Sequence, residues 1–219
     1  MVTYEELKQN EDIRTYIIRA DESLQAMGYT EHSFAHVCRV AETAAYILET
    51  LGYSAHEIEL AKISGYLHDI GNVINRIDHS QSGAMMAFRL LDHLHFSAED
   101  TSLIVTAIGN HDEGSGVAVN AVAAAMILGD KADVRRSRVR NTDRSTFDIH
   151  DRVNYSVVHS ELTVSEDKTR ITLALQVDTA ISPVMEYFQI FLNRMIMCRG
   201  AAEKLGLRFQ LIINGQSLM

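Results

Sequence analysis

Apolar positions recur at helical spacing through residues 3 to 135. Ile13, Tyr16, Ile17, Ala20, Leu24 and Met27 form one stripe, and Val37, Val40, Ala41, Ala44, Ile47, Leu48 and Leu51 form a second. Thr3 with Glu6, Ser54 with Glu57, and Ser97 with Asp100 have the spacing in which side-chain oxygens take up the free amides of a first helical turn, so they mark three helix starts. Gly28 and Gly52 end helices, and the single proline, Pro183, lies beyond this region and interrupts none of them.

After about residue 150 the period changes from 3.6 to 2. Ile171, Leu173, Leu175 and Val177 alternate with Thr172, Ala174 and Gln176, and Leu207, Phe209, Leu211 and Ile213 alternate with Arg208, Gln210 and Ile212. A less regular strand, Val153 to Val164, precedes the polar turn Ser165 to Lys168, so the first two strands are expected to form a hairpin. Ser182 is placed to cap a helix with Pro183 at its first position; Tyr187, Phe188, Phe191, Leu192, Met195 and Ala202 supply its apolar face, and Gly206 ends it. The pattern predicts a mainly α fold: a helical bundle over 1–145 and a small C-terminal α+β module of ββαβ order over 152–219. The polar stretch 137–151 is read as the connector.

A chain of 219 residues, 47% of them hydrophobic, can bury a substantial core. Its net charge of -9 argues against a general nucleic-acid binder, since phosphate backbones are held by excess Lys and Arg. The first twenty residues mix acidic side chains into their apolar pattern and read as neither a signal nor a transit peptide. No apolar run approaches membrane-spanning length, and Cys38 and Cys198 fit no paired metal or disulfide spacing, so a cytoplasmic protein is expected.

Histidine placement changes the picture. Ile104, Ala107, Ile108 and His111 are spaced i, i+3, i+4, i+7, which turns His111 inward; Ala123, Met126, Ile127 and Asp130 repeat that spacing and direct a carboxylate toward the core. An unpaired charge there is costly, so something must compensate it. His36 begins the stripe containing Val40, His68 lies in line with Ala61, Ser64 and Gly65, and His79 lies in line with Gly83, Met86 and Leu90. Asp69 follows His68 directly, where the helix ends before Gly71. Imidazoles and carboxylates converging from five segments suit a divalent metal, whose charge offsets the buried carboxylates. His36, His68, Asp69, His79, His111 and Asp130 are thus the candidate ligands, enough for one or two ions; these ligand types do not distinguish Mn, Fe, Ni, Zn and Mg.

The order H…HD…H…H…D, set in TEHSFAHVCRVAETA, GYLHDIGNV, DHSQSGAMM, IGNHDEGSG and ILGDKADV, resembles the HD superfamily of metal-dependent phosphohydrolases over roughly residues 30 to 140. The resemblance implies an HD-domain bundle. In it His36, His68, Asp69 and Asp130 match the basic one-metal set, His79 and His111 match the additions of two-metal members, Asp69 takes the bridging place, and His32 matches an extra ligand of three-metal members, although a surface histidine at a helix N-terminus is the preferred reading of His32. Individual segments are similar to the HD-GYP phosphodiesterases, but Gly116 is followed by Val117 and Ala118, Asn110 replaces the first of a histidine pair, and Asn72 replaces a lysine. The Gly-Tyr-Pro signature is therefore missing, and cyclic-dinucleotide cleavage is not what the resemblance implies.

It implies instead hydrolysis of a phosphoester by metal-activated water, with His68 and Asp69 at the catalytic centre. Lys131, Arg135, Arg136, Arg138 and Arg140 form the main basic concentration of the chain; Lys131 and Arg135, with Arg76 from the loop between two ligands, are candidate substrate contacts. A solvated helix face is the alternative for the basic run. Asp133, on the face of Asp130, is placed to orient a ligand. The expected partner is a small phosphorylated molecule such as a nucleotide rather than a nucleic-acid polymer or a membrane, and the C-terminal module is expected to make a homodimer or to cap the site. Two other functions share the pattern: a di-iron oxygenase of the same fold, and a non-enzymatic nucleotide-binding sensor.

Overall fold

The computed structural model describes residues 2–218. The helical part runs α1 (Tyr4–Leu7), α2 (Glu11–Ala26), α3 (Phe34–Leu51), α4 (Ala55–Leu67), a single 3-10 turn (Ile70–Val73), α5 (His79–His93), α6 (Ala98–Gly109) and α7 (Ala121–Ala132). Two further 3-10 turns, Arg136–Arg138 and Arg144–Thr146, lead to α8 (Ile149–Ser156). Then follow β1 (Val157–Val164), β2 (Arg170–Val177), α9 (Val184–Lys204), β3 (Arg208–Ile213) and β4 (Gln216–Ser217). No helix among the described residues is long and apolar enough to cross a membrane.

Capping explains most boundaries. Thr3 with Glu6 and Ser54 with Glu57 form reciprocal capping boxes, while Ser97 accepts from the Asp100 amide. The Thr3 box opens only one turn, because the Asn10 side chain accepts from the amides of Asp12 and Ile13 and starts a new helix. In α2, Ile13, Ile17, Ala20 and Leu24 are buried, whereas Tyr16 and Met27 are exposed. Both lie on one flank, roughly 50° around the helix from the buried line, so the stripe is narrower than the apolar spacing suggests.

The C-terminal strands form one sheet in the order β1-β2-β3-β4. β1 and β2 are an antiparallel hairpin; β2 and β3 are parallel, which requires a crossover, and α9 makes it. Three details depart from the sequence pattern. Residues 149–156 are helix rather than connector and strand, because Asp148 accepts from the Asp151 amide and nucleates α8. Pro183, not Ser182, occupies the cap position of α9, and the Ser182 hydroxyl donates to Glu186. Finally, Asn214 and Gly215 both adopt positive φ, the two-residue turn that folds β4 back on β3.

Three helices meet at the centre of the bundle. A Cβ at Gly65 of α4 would lie 2.8 Å from the Ala41 nitrogen, and one at Gly129 of α7 would lie 2.9 Å from the Val40 oxygen. Both backbones therefore press on α3 at the same place. His36 lies one turn before that contact, His68 one turn after Gly65, and Asp130 beside Gly129, so the close approach gathers the three side chains. The buried apolar cluster continues from these helices through α9 into the inner face of the sheet, with Met195, Leu173 and Leu211 fully covered.

Substituting Gly65→Ala is expected to lower stability by about 1–3 kcal/mol, since a methyl group must displace backbone. Gly200→Ala, on the exposed side of α9 with nothing among the described residues within 4 Å of its Cβ, is expected to raise stability by about 0.5–1 kcal/mol. Urea midpoints of the two variants should move in opposite directions.

Candidate metal centre

The six candidate ligands arrive from different elements. His36 sits in the first turn of α3, His68 caps α4, Asp69 follows it, His79 opens α5, His111 lies just past α6, and Asp130 ends α7. Gly71 brings the turn after Asp69 against α5: a Cβ there would fall 2.0 Å from the His79 carbonyl oxygen and 2.4 Å from the Gly83 nitrogen. No larger residue fits, so glycine sets the distance between Asp69 and His79.

All four histidines are held the same way. His68 Nδ1 lies 2.8 Å from the Gly65 carbonyl, His79 Nδ1 3.0 Å from that of Arg76, and His111 Nδ1 2.6 Å from that of Ile108. His36 Nδ1 lies 2.8 Å from Asp133 Oδ2, so Asp133 does orient a ligand-type imidazole. A carbonyl or a carboxylate accepts here, so Nδ1 carries the hydrogen and each ring turns its Nε2 inward. His79 Nε2 and His111 Nε2 face each other at 3.0 Å. Two lone pairs at that distance repel unless a cation or proton lies between them.

Asp69 joins two groups of donors. Its Oδ2 lies 3.2 Å from His68 Nε2 and 3.6 Å from His36 Nε2; its Oδ1 lies 3.6 Å from His79 Nε2 and 3.9 Å from His111 Nε2. Asp130 Oδ1 completes the first group, 3.4 Å from His36 Nε2 and 3.7 Å from His68 Nε2. His36, His68 and Asp130, and likewise His68, Asp69 and His111, are close enough together to hold a metal ion. Among the described residues, His36 Nε2, His68 Nε2 and Asp69 Oδ2 are buried with no hydrogen-bond partner, since the His68–Asp69 contact is not aligned for one. Buried polar atoms are rarely left so, and a cation satisfies all three at once.

The electrostatics point the same way. Burial opposes ionisation of Asp69 and Asp130, yet His68 beside the first and Lys131 beside the second hold both carboxyls well below the usual range. Burial also opposes a charge on His68, but Asp69 and Asp130 outweigh it and raise its pKa. The two carboxylates thus draw positive charge inward. His32, His79 and His111 are pushed down by burial, which keeps them neutral and able to donate a lone pair.

A cavity of about 440 Å³ opens over this centre, with Asp69, His79, His111 and Asp130 on its floor. Arg76, Lys131, Arg138 and Arg194 bring positive charge to its wall. Of the three side chains expected to contact substrate, Arg76 reaches the wall, 3.3 Å from His79 Nε2. Lys131 also borders the cavity, but it is buried and bound to Asp130 at 2.7 Å and Glu113 at 3.4 Å. Arg135 is not brought there: Asp133, at 2.7 Å, and Glu31, at 3.1 Å, draw it to the far side of His36. The rest of the basic run is also engaged, Arg138 by the Glu31 and Asp133 carbonyls, Arg136 by Tyr155 and Arg140 by Asp21.

Several residues around the centre and its cavity escaped the sequence reading. Asn72 donates to Asp69 Oδ1 at 3.0 Å and braces it; its place directly after the HDIG run was the available signal. Glu113 and Arg194 had none, because they become neighbours only when α9 docks. His32 is not a free surface side chain: its Nδ1 lies 2.7 Å from the Thr30 carbonyl and its ring packs edge-on against His36.

A family model described as the HD domain matches residues 33–154, a span that contains all six residues. The chain is 24% identical over 210 residues to an uncharacterized protein of Methanocaldococcus jannaschii, covering 85% of this chain and 79% of that protein. It is also similar to a predicted HD superfamily hydrolase from an uncultured Thermotogales bacterium, 22% identical, with a TM-score of 0.44 over 57% of this chain and 67% of that one.

Two measurements follow from the geometry. Asp133→Ala frees the His36 ring and is expected to weaken metal retention roughly 10- to 100-fold in a chelator competition, with the fold intact; unchanged retention would remove Asp133 from the centre. The second concerns pH. Imidazoles with lowered folded pKa contribute stability above the ordinary value near 6.5 and lose it as pH falls, because the unfolded chain binds the extra protons. His32, His79 and His111 act in this sense and His68 in the opposite one. The metal-free protein should therefore lose stability below about pH 6.5, well before its carboxylates protonate near pH 4. A urea midpoint that stays flat from pH 7 to pH 5 would contradict this.

Proposed function

Since this chain belongs to the HD domain family, we propose that it is a metal-dependent phosphohydrolase acting on a small phosphorylated metabolite such as a nucleotide. The observation that carries the proposal is the placement of Asp69, whose two oxygens face different pairs of inward-turned imidazoles. His36, His68, Asp130 and Asp69 Oδ2 would hold one divalent cation, and His79, His111 and Asp69 Oδ1 a second. Such cations, when bound, supply Lewis acidity that lowers the pKa of water and polarises a phosphoryl oxygen.

The chain's own residues position these ligands and receive the substrate. Asp133 fixes the ring of His36, Asn72 steadies the Asp69 carboxylate, and Lys131 keeps Asp130 ionised. Arg76 and Lys131 give the wall the charge an anionic group requires. This wall favours a phosphorylated substrate over the uncharged or apolar one that an oxygenase could take. A cavity near 440 Å³ suits one small molecule. With Asp and Glu outnumbering Lys and Arg 29 to 20, the surface offers little to a polymeric phosphate backbone.

The test is a panel of phosphomonoesters and phosphodiesters with protein loaded in turn with Mn, Fe, Ni and Zn, the bound metal being counted, and the panel repeated on Asp69→Ala. That variant should lose metal and at least about a hundredfold of any phosphate release. Undiminished turnover in Asp69→Ala, or oxygen consumption by an iron-loaded protein that releases no phosphate, would end the proposal.

A further inference from the structure

The four cations on the cavity wall differ in what they leave free. Lys131 is held between Asp130 and Glu113. Arg138 gives Nε to the Glu31 carbonyl and Nη1 to the Asp133 carbonyl, and Arg76 gives Nη1 to Asn72. Arg194, on α9, gives only its Nε, which donates to Glu113 Oε1 at 2.8 Å. Its guanidinium also lies over the Phe191 ring, 4.2 Å from the centroid. Of the four side chains it alone keeps both terminal nitrogens clear of protein acceptors among the described residues.

Its position is tied to the centre. Asp130 Oδ2 binds Lys131 Nζ at 2.7 Å, Lys131 Nζ reaches Glu113 Oε1 at 3.4 Å, and the same Glu113 oxygen accepts from Arg194. A guanidinium pinned at Nε and packed on a ring has already lost most of its rotamer freedom. What remains is a planar pair of N–H groups, whose fork matches two oxygens of one phosphate. Arg194 is largely buried, so an anion in the cavity would gain more from it than from a solvated side chain.

Resting on the hydrolase reading above, we propose that Arg194 binds two non-bridging oxygens of the substrate's phosphate, opposite the floor of metal ligands. The family match ends at residue 154, so this contact comes from outside the HD domain. The C-terminal part thereby completes the substrate site.

Inorganic phosphate is the probe, titrated calorimetrically into the Mn-loaded full-length protein. Wild type should bind it, and Arg194→Met should weaken binding at least roughly tenfold while metal per chain and Tm stay unchanged. Arg194→Lys keeps the charge but loses the fork and should weaken binding roughly threefold or more; it decides the matter alone if Arg194→Met does not fold. Affinity within about twofold of wild type in any folded, fully loaded variant overturns the assignment and leaves the hydrolase proposal standing. Loss of metal together with phosphate also overturns it, since Arg194 would then support the centre instead of the substrate. A wild type that holds metal but neither binds phosphate nor hydrolyses any phosphoester sinks the hydrolase reading, and the role of Arg194 with it.

Discussion

Burying the negative charge of Asp69 and Asp130 is the constraint on which the structure turns. Two carboxylates almost out of water are tolerable only if positive charge is brought to them. The protein supplies part of it through Lys131 and a tendency of His68 to take a proton. It also turns four Nε2 atoms toward the same small volume, a donor set that could hold a cation to supply the rest. The crowding of α4 and α7 onto α3 serves this arrangement, because any side chain at Gly65 or Gly129 would push the donors apart.

Around that centre lies a second layer whose charged members are paired with one another or with a ligand-type side chain. Asp133 shows this well. Burial opposes its ionisation, yet the hydrogen bond to His36 and the charge of Arg138 hold its carboxyl far below the usual range. Arg135 and Arg138 then connect Asp133 to Glu31 and to the chain ahead of α3. Within a run that looks like a phosphate-binding patch in one dimension, Arg135 and Arg138 in the fold brace the partner of one histidine.

The cavity consequently draws on two parts of the chain. Its floor comes from the helices matched by the family model, while α9 closes one side with Phe191 and Arg194. The buried Lys131–Glu113–Arg194 contacts join these parts, which makes the docking of α9 a local matter for Asp130 as well as for the apolar core.

By itself the sequence determined directions. A period of 3.6 reports the angle of a side chain about its helix axis, so the inward turn of His36, His111 and Asp130 was legible, as was the alternating burial along β2 and β3. Local capping chemistry was legible at Thr3 and Ser54; the Asn214-Gly215 turn and the Asp148 cap carried equally local signals that the hydrophobic pattern masked. Only the tertiary structure decided partners. Whether Arg135 meets a phosphate or Asp133, and whether Glu113 finds Arg194, depends on distances between residues remote along the chain, and Coulomb energy depends on that separation in space, which no periodicity records.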